Sequence, residues 1–184
     1  MGDTHPGIDA ELAAFLAAQH VFFVATAPLA ADGHVNLSPK GLDTFRVLDA
    51  YTVAYLDLTG SGIETVAHLR ENGRIVLCFC AFEGPPRIVR LHGQGEVLEP
   101  SHPDFAKLRP QFPPFEGVRA ILRVALRRIA DSCGYGVPLF RYEGERRQLP
   151  AWTGRKGPAG VAGHQATHNR RSLDGLPGLE PRGG

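Results

Sequence analysis

The sequence predicts a mainly β protein, a small antiparallel barrel of about six or seven strands with short flanking helices. Three observations carry this expectation. Glycine and proline number 22 and 15 among 184 residues, a share that favours short strands and many turns over a helical bundle. Apolar, β-branched runs recur between turn signals. The links between those runs are too short for repeated crossover helices, which disfavours a parallel sheet. A hydrophobic fraction of 43% and a charged fraction of 21% fit a chain with a real core, and the length suits one domain.

The elements follow in order. Ile8, Leu12, Phe15 and Leu16 recur at helical spacing, with Asp9 placed to cap a helix running to Gln19. His20 to Ala27, reading HVFFVATA, is a short strand entering the core. After the AADG turn, Val35 to Ser38 resumes as a strand, which Pro39 is expected to end or bulge because it has no N–H. Thr52 to Leu58 is the next strand, followed by the turn Thr59-Gly60-Ser61-Gly62. Ile63 to Glu71 reads as a two-turn helix, with Ser61 and Glu64 at capping-box offset and Gly73 as a stop signal. Arg74 to Phe82 and Arg87 to Leu98 then form a hairpin across GPP, and Gly93 and Gly95 permit a bulge. Pro103 to Phe112 suits a short helix. The β-branched content of Val118 to Ile129 tilts it to a strand. From Asp131 onward the chain turns to glycine and proline, in SCGYGVP and WTGRKGPAGVAG. Residues 131–184 are therefore expected to be an extension of a single 1–184 domain. It would be an ordered coil packed on the barrel or on a dimer partner, fraying in LPGLEPRGG.

Charge and motif content narrow the chemistry. Lys plus Arg is 20 against 19 for Asp plus Glu, so the totals make no electrostatic case for nucleic acid or a membrane surface. No apolar run approaches a membrane span, and Met1 to Asp9 lacks the basic-then-apolar order of a secretory signal, so a cytoplasmic protein is expected. Cys78, Cys80 and Cys133 are too few for a disulfide scaffold. Cys78 and Cys80, two apart in an apolar strand, read as small buried hydrophobes. Nucleophile-elbow, P-loop, HExxH and CxxC patterns are all missing, so no metal site and no catalytic residue are assigned. His164 and His168 would share a face if their segment were helical.

Three polar clusters remain. Asn36, Ser38 and Lys40 alternate along a strand and would present an amide, a hydroxyl and an ammonium on one side. Such a row suits an anion or polar ligand, or a solvated sheet face. The Thr59-Gly60-Ser61-Gly62 turn opens a helix, whose free N–H groups make a phosphate seat or simply a capped turn. Tyr135, between Gly134 and Gly136, is free to stack on an aromatic ring or to pack as a turn residue.

From about Ala17 to Val97 the chain resembles the pyridoxamine 5'-phosphate oxidase-like superfamily of flavin-binding split barrels. The resemblance lies in VNLSPKGLDTFRVLD, TVAYLDLTGSGIETVAHLRENGRIVLCF and GPPRIVRLHGQGEV. SCGYGVPLF and NRRSLDGLPG look like a subgroup of oxidase-related proteins within it. The resemblance implies a six-stranded antiparallel split β-barrel and a homodimer with cofactor sites at the subunit interface. It implies FMN as cofactor, with deazaflavin and haem used in some branches. The phosphate would be held by Asn36, Ser38 and Lys40, by Asp57, Thr59 and Ser61, and by Gly62 and Thr65, with Tyr135 added as a ring contact. Residues of the Arg87 to His92 strand would approach the ring or the partner subunit. Glu64 and Thr65 stand where the namesake enzymes place basic residues, which leaves Lys40 as the nearest cation.

Three functions fit these residues. The first is an FMN-dependent oxidoreductase acting on a small molecule, in which the flavin carries the electrons and no dedicated nucleophile is needed. The second is a non-catalytic flavin or haem binding protein. The third is a deazaflavin-dependent reductase.

Overall fold

A computed structural model describes residues 3–181. The elements run β1 (Thr4–His5), α1 (Ala10–Ala17), β2 (Phe22–Thr26), β3 (Asn36–Lys40), β4 (Phe45–Asp49), β5 (Thr52–Leu58), α2 (Glu64–Asn72), β6 (Arg74–Cys80), β7 (Ile88–Leu98), α3 (Pro103–Leu108), β8 (Val118–Ser132) and α4 (Gln148–His168). All strand pairings are antiparallel, in the order β3-β2-β6-β7-β8-β5-β4, with β1 joined to the far end of β8.

This corrects the expected six-stranded split barrel: the molecule carries an eight-stranded antiparallel sheet that is not closed. The sheet does curl. Phe22 of β2 meets Phe45 of β4 and Tyr55 of β5 at ring centroids 5.5 Å apart, and Phe45 meets Phe79 at 4.9 Å. No ladder, however, joins the edge strands β3 and β4. Each edge is only five residues long, and Pro39 removes one of β3's donors. The chain passes from one edge to the other through Leu42 and Asp43, both left-handed with φ of 63° and 50°.

Most elements form where the sequence places them. Asp9 caps α1, its carboxylate accepting the Leu12 N–H at 2.8 Å. Gly73 ends α2 in the left-handed conformation at φ 70°, the position where a Cβ is disfavoured. The capping box expected at Ser61 and Glu64 does not form. The residue before α2 is Ile63, and no side chain caps the helix. Pro39 lies within β3 and does not end it, which an edge strand tolerates. The strand β4 was not anticipated, because FRVLD is short and only half-buried throughout its apolar positions.

The larger correction lies near the C-terminus. Gln148–His168 is helical where a coil was expected, kinked at Gly157 with φ 61° and ψ 175°. Pro158 sits just after that break, in a first turn whose N–H needs no partner. Thr153, Val161 and Gln165 are buried along α4, so packing offsets the poor helix propensity of its glycines. His164 and His168 do share a face, their rings stacked 4.3 Å apart. In the expected fraying end, Leu179 is 7% exposed and belongs to the core, while residues 182–184 lie outside the described residues.

The main core fills the concave side of the curled sheet. It draws on Phe22, Val24, Tyr55, Leu77, Phe79, Leu91 and Leu122, with Leu12 and Leu16 of α1 and Val66 and Leu69 of α2. A smaller cluster of Leu56, Leu98, Phe112 and Ile121 lies under α3. Among the described residues, no helix is long and apolar enough to cross a membrane, and no group of His, Cys, Asp and Glu is arranged to hold a metal ion.

Candidate functional site

Lys40, Ser38 and Asn36 pair in register with Phe22, Val24 and Thr26, so all three point to the concave side. The Asn36 amide donates to Thr26 Oγ1 at 3.1 Å and to Thr65 Oγ1 at 3.0 Å, and the Ser38 hydroxyl donates to Asn36 Oδ1 at 3.0 Å. Thr26 Oγ1 also bonds His68 Nδ1 at 2.9 Å. His68 is fully buried, and its Nε2 has no partner. Burial holds its pKa below the usual imidazole value. The Tyr55 hydroxyl, also fully buried, faces Thr65 without forming a hydrogen bond of standard geometry. Burial first, then the Asp57 charge, pushes its pKa well above the usual phenol value.

Lys40 is not a solitary cation. Its Nζ lies 3.2 Å from Asp57 Oδ1. The other carboxylate oxygen accepts from Arg119 Nε at 2.9 Å, and Arg119 Nη1 donates to the Gly62 carbonyl at 2.6 Å. The β5–β8 register shifts between Asp57 and Leu58, leaving Arg119 unopposed in the ladder. That bulge turns its side chain onto Asp57. Asp57 is fully buried and Arg119 is nearly so. Burial would raise the Asp57 pKa, but Arg119 and then Lys40 outweigh it and hold the carboxyl below its usual range. Two cations against one carboxylate leave a net positive charge behind the start of α2.

The turn before α2 is clamped from behind. Thr59 Oγ1 donates to the Gly117 carbonyl at 2.6 Å and accepts from Gln165 Nε2 at 2.7 Å. Asn169 Nδ2 donates to the Gly60 carbonyl at 3.0 Å. Glu64 Oε1 accepts the Leu173 N–H at 3.2 Å, so this carboxylate is tied to the C-terminal segment. Ser61 and Gly62 are exposed and give the cluster its opening to solvent. A cleft of about 560 Å³ lies between α1, β4 and the β3–β4 link, bordered by His20, Gly41, Thr44 and Phe45, and none of the residues at the start of α2 lines it. A second, of about 530 Å³, lies across the stacked His20–Tyr142 pair.

Of the residues picked out from sequence, Asn36, Ser38, Lys40, Asp57, Thr59, Ser61, Gly62 and Thr65 gather around the start of α2. Tyr135 does not join them. It is 82% exposed in the turn after β8, at the opposite end of that 15-residue strand from Arg119. Arg119, Thr26, His68, Gln165 and Asn169 were missed. The apolar run VRAILRV carries two arginines, Arg119 and Arg123, and that signal does not tell the buried one from the other.

Comparison with known proteins bears on the family and the fold. The family model described as pyridoxamine 5'-phosphate oxidase matches residues 8–133. The pyridoxamine 5'-phosphate oxidase family protein ustO of Aspergillus flavus is 40% identical over 178 residues, spanning 88% of this chain and 71% of that protein. Among solved structures, HupZ of Group A Streptococcus is 22% identical, with a TM-score of 0.53 over 68% of this chain and 94% of HupZ. A Lactobacillus delbrueckii protein provisionally described as a pyridoxamine 5'-phosphate oxidase is 19% identical, with a TM-score of 0.52 over 70% of this chain and 98% of that one. These two structures share the fold. The family match and the 40% identical relative show that the chain belongs to the pyridoxamine 5'-phosphate oxidase family.

Proposed function

We propose that the protein binds FMN and acts as a flavin-dependent oxidoreductase on a small molecule. The observation that carries the reading is the polar cluster at the uncapped start of α2. There the hydroxyls of Ser38, Ser61 and Thr65, the Asn36 amide and a net positive charge from Lys40, Arg119 and Asp57 meet at an exposed turn. These residues fit a phosphate monoester: hydroxyls and free backbone N–H groups donate, and the cations compensate its charge. Glu64 is the one carboxylate working against it. Bound flavin supplies two-electron chemistry through its ring. The chain's own part is to hold the phosphate end at Lys40 and Thr65, and to keep Arg119 rigid by its bonds to Asp57 and the Gly62 carbonyl. The absence of a nucleophilic triad is consistent with this chemistry.

We also propose a homodimer, supported by the exposed apolar residues Tyr135, Leu139 and Phe140 on the segment after β8. Sedimentation should give about twice 19.9 kDa.

The test of the flavin reading is spectral and thermodynamic. Purified protein with FMN should show flavin bands near ~375 and ~450 nm, whereas one intense band near ~400 nm would indicate haem. Lys40→Ala should weaken FMN roughly tenfold to hundredfold, the worth of a charge-assisted contact of about 1.5–3 kcal/mol. Riboflavin, which lacks the phosphate, should be affected far less. Equal losses for both ligands place Lys40 away from the phosphate and remove the reading.

A further inference from the structure

Beyond the family match, which ends at residue 133, α4 and the segment 169–181 form an arm that returns to the start of α2. It ties that turn at successive points. Gln165 Nε2 donates to Thr59 Oγ1 at 2.7 Å. Asn169 Nδ2 donates to the Gly60 carbonyl at 3.0 Å and, less closely, to that of Ser61 at 3.4 Å. The Leu173 N–H donates to Glu64 Oε1 at 3.2 Å, which fixes the position of that carboxylate. Gly178 packs on Ile63 so closely that a Cβ there would lie 2.9 Å from its side chain. The arm is itself anchored: Asp174 Oδ2 accepts the His34 N–H at 2.9 Å, and Leu179 belongs to the core.

These ties decide where the backbone donors of the turn point. In a trans peptide the N–H points opposite to the C=O, and no described peptide bond is cis. The Gly60 and Ser61 carbonyls turn to the buried Asn169. The Ser61 and Gly62 N–H groups therefore point the other way, to the side on which Gly60, Ser61 and Gly62 are exposed. Arg119 holds the Gly62 carbonyl at 2.6 Å and orients the Ile63 N–H in the same manner. Among the described residues none of these three N–H groups has a protein partner. Successive unpaired backbone N–H groups form an anion-binding concavity. Packing alone does not explain an asparagine at 169. It is fully buried with Oδ1 unpartnered, a cost that an apolar side chain would avoid.

We infer that Asn169 and Gln165 are positioning residues of the phosphate seat. They hold the 59–62 turn so that its backbone N–H groups face the phosphate, and they set a preference for phosphorylated flavin over riboflavin. The inference rests on the flavin reading and adds to it a part of the chain outside the family match.

The test measures FMN and riboflavin dissociation constants for wild type, Asn169→Ala and Gln165→Met, each well below its own Tm. It also follows the ¹⁵N-amide resonances of Ser61, Gly62 and Ile63. Each variant should weaken FMN roughly tenfold, the worth of a misaligned bond to a charged group. Riboflavin should stay within about twofold of wild type. Gln165→Met keeps the side-chain volume and releases only Thr59, so it carries the test where Asn169→Ala is poorly folded. In wild type the three amide resonances should move with FMN and with inorganic phosphate, and move less with riboflavin. Variants that hold FMN as tightly as wild type, or lose both flavins equally, would overturn the inference. So would amide resonances indifferent to phosphate. A wild type that binds neither flavin removes the flavin reading itself, whereas a wild type that binds FMN beside unaltered variants removes only this inference.

Discussion

Replacing Arg119 by Met is the sharpest test of how the site is built. Asp57 is fully buried, and in the variant its Oδ2 loses both guanidinium contacts while Lys40 keeps one contact at 3.2 Å to Oδ1. The Gly62 carbonyl loses its donor as well. Removing one partner of a buried ion pair costs about 3–5 kcal/mol. Lys40 remains, so the lower end, about 3 kcal/mol, is expected, equivalent to a fall in Tm of roughly 6–12 °C for a chain of this size. Wild-type Asp57 has a depressed folded pKa, so its contribution is present above its unfolded value near 3.9 and is lost as pH falls through the folded value. With Arg119 gone the folded pKa rises, so acid unfolding of the variant should begin at higher pH. The assay is urea unfolding at pH 7 and a Tm series from pH 7 to 3 for wild type, Arg119→Met and Arg119→Met with Asp57→Asn. The double variant should recover most of the loss, because it no longer buries an unpaired charge. A single variant within 1 kcal/mol of wild type, with the double variant no better, would refute the reasoning.

Four further outcomes follow from particular contacts. His68 is buried with a lowered pKa, so the unfolded chain takes up a proton below about pH 6.5 that the folded chain refuses; stability should decline as pH falls through that range, and His68→Gln should flatten the slope. Cys133 is exposed, whereas burial and then the neighbouring Cys80 push the half-buried Cys78 thiol up to about 11, so a thiol reagent should label Cys133 first and Cys78 slowly, and Cys133→Ser should remove the fast phase. Gly73→Ala forces a Cβ into the left-handed turn and against the Gln94 side chain, at a cost of at least about 1–2 kcal/mol in urea unfolding. Asn169→Ala removes the donor to the Gly60 carbonyl and should lower stability by about 1–3 kcal/mol, with faster hydrogen exchange in α4 and the 59–62 turn.

What was legible from sequence alone was local. The apolar runs TVAYLDL and RIVLCFC, the Asp9 cap, the Gly73 stop and the hairpin across GPP each depend on residues within a turn or two. Each formed within a few residues of its expected place. The residue types around α2 were legible for the same reason, as hydroxyls and glycines beside a helix start. Tertiary structure decided the rest. Lys40 reads as a free cation until β5 delivers Asp57 to it and β8 delivers Arg119 to Asp57 from 62 positions away, through a bulge that periodicity does not encode. The glycine-rich C-terminal stretch reads as coil because propensity is summed locally. It is helical because Thr153, Val161 and Gln165 are buried, with Gln165 held by Thr59 from 106 residues away. Closure was the other thing local pattern does not encode. Whether a curled sheet zips its edges depends on free N–H and C=O groups meeting in space. Pro39 and the short edges β3 and β4 leave those of this protein apart.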